Sequence, residues 1–95
     1  MKKIYISGKI TDNPNAKEQF EQAEKELIKK GFKAVNPMNL GTDPKSTWIQ
    51  FMRADIKAMC DCDCIYLLSN WADSKGARIE QRIATFLELE FLYEK

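Results

Sequence analysis

The 95-residue sequence predicts an α/β fold built on a parallel sheet. Three observations point there. Period-two and period-3.6 apolar patterns alternate from end to end, and the connections between them are short. One strand candidate is apolar almost without interruption, as a strand buried on both faces must be. The length suits a single domain over 1–95, since two halves of it would each lack a viable core.

Lys3 to Ser7 (KIYIS) is the first strand candidate, ending at Gly8. Asn13-Pro14 reads as the N-cap and first residue of a helix, because proline has no amide hydrogen to lose there. That helix places Ala16, Phe20, Ala23 and Leu27 on one face. It ends at Gly31, after two lysines suited to the negative end of the helix dipole. Phe32 to Val35 is a second strand closed by Asn36-Pro37, and Met38 to Ser46 reads as loop. Thr47 with Gln50 three residues on is a capping-box pattern. The helix it opens aligns Trp48, Phe51, Met52, Asp55, Ile56 and Met59, with Trp48 expected in the core. Cys64 to Ser69 (CIYLLS) is the doubly buried strand. Asp73 or Ser74 then caps a third helix bearing Ala77, Glu80, Ile83, Ala84 and Leu87, and Glu90 to Glu94 (EFLYE) is a fourth strand. Right-handed crossovers in such an order place helices on both faces of the sheet. Ligands then bind beyond the carboxyl ends of the strands, which singles out Ser7 to Asp12, Asn36 to Leu40 and Ser69 to Gly76.

Composition removes several classes of function. Fifteen Lys plus Arg against fourteen Asp plus Glu gives +1, so there is no basic footprint for a nucleic-acid polymer or an anionic membrane. There is no histidine, which removes Ser-His-Asp and Cys-His nucleophiles and every zinc site with a histidine ligand. The apolar run behind Met1-Lys2-Lys3 covers only Ile4 to Ile6, too short for a signal-peptide core, and no stretch approaches the ~20 residues of a membrane span. The cytoplasm is the expected compartment. Cys60, Cys62 and Cys64 are an odd number crowded into five residues, which does not make a disulfide framework. They span a helix end and a strand start without a second cluster, and are read as small buried or half-buried thiols. No metal and no cofactor is expected.

The strongest signal is a pair of acids on apolar stripes. Asp55 lies four residues after Phe51 and four before Met59; Glu80 lies three after Ala77 and four before Ala84. A carboxylate turned towards a core is costly unless something pairs with it. Each acid alone reads equally well as a structural partner of Arg53, Arg78 or Arg82, or as a residue at the edge of its stripe. Two together beside one cleft read as a site. Without histidine, paired carboxylates suit glycosidic chemistry: one attacks the anomeric carbon, and the other handles the proton of the leaving group or orients the nucleophile. That geometry predicts carboxyl groups about 5 Å apart.

Around them, Ser74-Lys75-Gly76 opens the third helix with free amides and a glycine, a seat for phosphate or simply a helix cap. Ser7-Gly8-Lys9 offers a hydroxyl, an amide and a cation, or is an ordinary turn; neither segment is a Walker loop or a dinucleotide fingerprint. Asn36 stands at the end of the second strand, in the second ligand loop. Trp71 either stacks on a nucleobase or packs over the rim of the sheet.

YISGKIT at Tyr5 to Thr11, VNP at Val35 to Pro37, MRADIKAM at Met52 to Met59, DCIYLL at Asp63 to Leu68 and SKGARIE at Ser74 to Glu80 resemble the nucleoside 2-deoxyribosyltransferase-like family. The likeness is greatest to its small domain-of-unknown-function branch, found in bacteria and phages. The resemblance implies a flavodoxin-like three-layer sandwich, a four-stranded parallel sheet in the order 2-1-3-4, and a homodimer or homotetramer. It implies hydrolysis or transfer at the N-glycosidic bond of a nucleotide or nucleoside through a glutamyl-glycosyl intermediate. Residue by residue, it makes Glu80 the nucleophile, Asp55 its partner acid and Ser74 a phosphate contact. Lys9 departs from the proline that relatives commonly carry after the glycine, adding a cation near the phosphate. Longer transferases hold the sugar 5′-hydroxyl with a C-terminal segment of a neighbouring subunit. The sequence ends at Lys95 without one, so transfer between free nucleosides is not expected of it. The alternatives are a non-catalytic nucleotide-binding or sequestering module, and a small protein whose faces only assemble with partners.

Overall fold

The computed structural model describes residues 2–95. In chain order its elements are β1 (Lys3–Ser7), α1 (Ala16–Lys29), β2 (Lys33–Val35), α2 (Trp48–Cys60), β3 (Cys64–Leu67), α3 (Lys75–Phe86) and β4 (Glu90–Tyr93). Single 3-10 turns lie at Pro37–Asn39 and Trp71–Asp73. The strands form one all-parallel sheet in the order β2-β1-β3-β4, the α/β topology that the sequence predicts.

Strand alternation distributes the side chains between two cores. Ile4, Ile6, Cys64 and Leu68 meet the Ala16, Phe20, Ala23 and Leu27 face of α1. Tyr5, Ile65 and Leu67 point the other way, under Met59 of α2 and Ala84 of α3. Cys64, Ile65 and Leu67 have no exposed surface, which is why β3 reads as an unbroken apolar run. Burying each large apolar side chain contributes about 1.5–3 kcal/mol. Among the described residues, no helix is long and apolar enough to cross a membrane. The three cysteines are free, Cys60 exposed and Cys62 and Cys64 buried.

The helix ends test the local reading. α1 begins at Ala16, not at Pro14, with Asn15 as the flanking residue. Asn13 is occupied one turn earlier: its Oδ1 accepts from the Asn15 amide at 3.1 Å and its carbonyl from the Ala16 amide at 3.1 Å. Asn13-Pro14 therefore makes the turn that feeds the helix. At the other end the Gly31 amide donates to Ile28 O and the Phe32 amide to Leu27 O, a Schellman closure with Gly31 at φ 92°. Both halves of the Thr47–Gln50 capping box form at the start of α2.

The order β2-β1-β3-β4 determines where a cleft opens. The chain leaves β1 towards the α1 face and leaves β3 towards the α3 face, so the carboxyl ends of these adjacent strands are not covered by one common connection.

Candidate active site

A cavity of about 800 Å³ lies at that crevice, within the usual ~300–1,000 Å³ of small-ligand sites. The loop after β1 supplies Gly8, Lys9 and Asp12, and the segment after β2 supplies Pro37, Met38, Thr42 and Pro44. One wall is α2, with Trp48, Phe51, Met52 and Asp55. The start of α3 gives Ser74, Lys75 and Gly76, with Glu80 one turn deeper and Tyr5 of β1 beside it.

Glu80 is 5% exposed and Asp55 8%, so both carboxyls are withdrawn from water on neighbouring helices. Neither is consumed by an arginine: among the described residues the one ion pair joins Lys2 to Glu90, away from the cavity. Each Glu80 oxygen accepts one hydroxyl. Ser7 Oγ donates to Oε1 at 2.7 Å and Tyr5 Oη to Oε2 at 2.8 Å. These bonds fix the rotamer and favour the anion. Burial outweighs them and, with the negative field of Asp55 added, raises Glu80 to about 7. Burial alone raises Asp55 to about 6, and among the described residues no hydrogen bond or ion pair offsets it. Tyr5 is held well above its ordinary value, first by its own burial and then by Glu80, so it remains a donor. The sequence reading missed Tyr5. Its position two residues before Ser7 puts both on one strand face, the one that Glu80 meets from α3.

The other candidates divide. Gly8, Lys9, Ser74 and Gly76 line the cavity. Ser74 Oγ accepts from the Ala77 amide at 3.1 Å as the N-cap of α3, which leaves its own hydrogen free to donate. Ser7 is not a free phosphate donor, because it is buried and its hydroxyl is committed to Glu80. Asn36 does not reach the cavity. It is 4% exposed, accepts from the Met38 amide and donates to Glu24, and so positions Pro37 and Met38, which do line the wall. Trp71 is also absent from the wall: it packs beside the core under α2 and α3, the rim alternative. The aromatic wall is Trp48 instead, 40% exposed and not in the core. As the first residue of α2 it stands before Met52, Asp55 and Met59, the positions that α2 buries.

A second polar cluster braces the β1 loop. The Lys9 amide donates to Asn70 Oδ1 at 3.1 Å, and its carbonyl accepts from Asn13 Nδ2 at 2.8 Å. Both asparagine amides also donate to Gln19 Oε1, at 3.1 and 3.0 Å. The Lys9 peptide is thus held at both ends, which ties the loop after β1 to the loop after β3.

Among the described residues, no group of three or more Cys, Asp or Glu side chains is arranged to hold a metal ion. The arrangement is that of a buried acid pair, one member clamped by two hydroxyls, under a cavity with cationic side chains at Lys9 and Lys75.

Residues 2–93 match the family model of DUF4406, a domain of unknown function. The chain belongs to this family. No curated protein matches it. Among solved structures, the DUF4406 chain is similar to a 2-deoxyribosyltransferase from the psychrotolerant bacterium Bacillus psychrosaccharolyticus, with a TM-score of 0.74 and 17% identity. The likeness covers 96% of the DUF4406 chain and 70% of the transferase. The DUF4406 fold is therefore nucleoside 2-deoxyribosyltransferase-like, as the five sequence segments imply.

Proposed function

We propose that this DUF4406 protein cleaves the N-glycosidic bond of a nucleotide, with Glu80 as nucleophile and Asp55 as the proton-handling partner. The observation that carries the reading is the Glu80 carboxyl: it is buried, has no cation paired with it among the described residues, and is held by one hydroxyl on each oxygen. Keeping an ionisable carboxyl buried with no charge to offset it costs stability, a cost characteristic of functional sites.

In the first step a Glu80 oxygen bonds to C1′ while the C1′–N bond breaks. Its electron pair goes to the base nitrogen, which takes the proton of Asp55. In the second step the Asp55 carboxylate accepts a proton from water as the water oxygen attacks C1′, and Glu80 leaves as the carboxylate. A second base in place of water gives transfer instead of hydrolysis. Tyr5 and Ser7 keep the nucleophile aimed and support its charge when it leaves. Support also comes from the fold shared with the transferase, whose name states that it moves 2-deoxyribosyl groups. Ser74, the unpaired amides at the start of α3, and Lys9 suit the phosphate.

Base release from a panel of ribo- and deoxyribonucleoside 5′-monophosphates tests this. Free base that appears with the wild type and not with Glu80→Ala supports the reading; nucleotide binding without base release makes the chain a binding module instead. The pair titrates near 6 and 7, so turnover is expected to be bell-shaped in pH with its top between them. Because the nucleophile has the higher value, the form with Glu80 ionised and Asp55 protonated is a minority at every pH, but its population peaks between the two values. It falls below them as Glu80 takes up its proton and above them as Asp55 loses the proton that the base needs. A rate that is flat from pH 5 to about 8 contradicts the assignment of both acids.

A further inference from the structure

We propose that Lys75 reserves the cavity for ligands carrying a phosphate monoester, by covering the Trp48 ring until an anion draws it away. This rests on the nucleotide reading above and deepens it. Lys75 Nζ lies 4.8 Å from the centroid of the Trp48 ring, so the start of α3 reaches across to the start of α2. Both residues line the cavity. Trp48 is the one tryptophan in its wall and the largest flat surface there for a nucleobase, so the ammonium sits where a base would stack.

The contact is a weak one to break. An ammonium over an exposed ring is held far less firmly than one hydrogen-bonded to a phosphate dianion. A nucleotide therefore offers Lys75 a better partner and takes the ring in exchange. A neutral nucleoside has to displace the ammonium and returns nothing for it. One side chain thus favours the phosphorylated ligand and penalises the neutral one, which is discrimination from both directions. Acids outnumber cations around the cavity, so a phosphate depends on the few cations there. Asp12, Asp55, Asp73 and Glu80 are the acids in its lining, and Lys9 and Lys75 are the cations. Lys9 is half-buried, whereas Lys75 is exposed at the first position of its helix and lies over Trp48.

The test is fluorescence titration in a Glu80→Gln background, so that no ligand is consumed. The probes are a 2′-deoxynucleoside, its 5′-monophosphate and inorganic phosphate, measured with Lys75 and with Lys75→Met. With Lys75, the monophosphate is expected to bind at least about ten-fold more tightly than the nucleoside, and phosphate alone is expected to shift tryptophan emission. Lys75→Met is expected to weaken the monophosphate about ten-fold, to tighten the nucleoside about two- to five-fold, and to abolish the shift with phosphate. Lys75→Arg retains the preference. If both ligands bind and the methionine moves them in the same direction, the role of Lys75 is overturned while the nucleotide reading stands. If neither ligand binds any of the three proteins, the nucleotide reading itself falls.

Discussion

Glu80→Gln is expected to abolish base release and, in the same protein, to raise the melting temperature at pH 8. The first effect follows from removing the nucleophile, which costs at least about 10⁴-fold in rate where a covalent group is deleted. The second follows from what the wild type endures to keep that group. Glu80 has an ordinary value of 4.5 and a folded value of about 7. Between these two, the folded state binds more protons than the unfolded one, so stability falls as pH rises through the window. Above about 7 the whole penalty is present, and a shift of this size corresponds to about 3 kcal/mol. Glutamine removes the charge and keeps the shape. Its amide accepts from one of the two hydroxyls and donates to the oxygen of the other. A gain of roughly 12–24 °C at pH 8 is expected for a domain of this size. At pH 4, where the wild-type carboxyl is protonated folded and unfolded alike, the two proteins are expected to melt together. Melts at both pH values check this, and a glutamine variant that is less stable at both contradicts the strain assigned to the carboxyl.

That trade also explains which parts of the molecule could be read in advance. The strand and helix sequence was legible because burial imposes a period: α1 buries the four residues that its 3.6-residue pattern names, and β3 loses its alternation because both its faces are covered. Asp55 and Glu80 stood out because they break such a period, and both line the cavity. Trp48 and Trp71 were not separable in the same way. Each sits at the first residue of a helical segment, and which of them overhangs the cleft depends on how α2 and the turn at Trp71–Asp73 meet the edge of the sheet. Loop chemistry was the other blind spot. Asn13 can cap a helix or hold a turn, and what decides is tertiary: Lys9 O and Gln19 claim its side-chain amide. Tyr5 and Ser7 were visible as strand residues but not as the hydroxyls on Glu80, because β1 and α3 are more than seventy residues apart in the chain.

Gly8→Ala is expected to injure stability and site together, and the reason lies behind the cavity. A Cβ at Gly8 would stand 2.6 Å from Leu68 Cδ1, 2.9 Å from its Cβ and 3.0 Å from its Cγ. Leu68 has no exposed surface and is wedged among Ile4, Ile6 and Phe20, so it cannot swing aside. Overpacking of this kind costs about 1–3 kcal/mol, which lowers the melting temperature of a domain this size by about 10 °C. The alternative to moving Leu68 is to move β1. There the Leu68 amide donates to Ser7 O at 2.9 Å, and Ser7 holds Glu80 at 2.7 Å, so any shift of β1 reaches the nucleophile. Gly31→Ala is the control: it carries φ 92° but has open space around it, so it strains only the end of α1. Melts and base-release rates measured on both variants separate the two positions. Gly31→Ala is expected to lose stability with its rate per folded molecule intact, and Gly8→Ala to lose both. Equal rates in the two would mean that Glu80 is aimed without help from the backbone of β1.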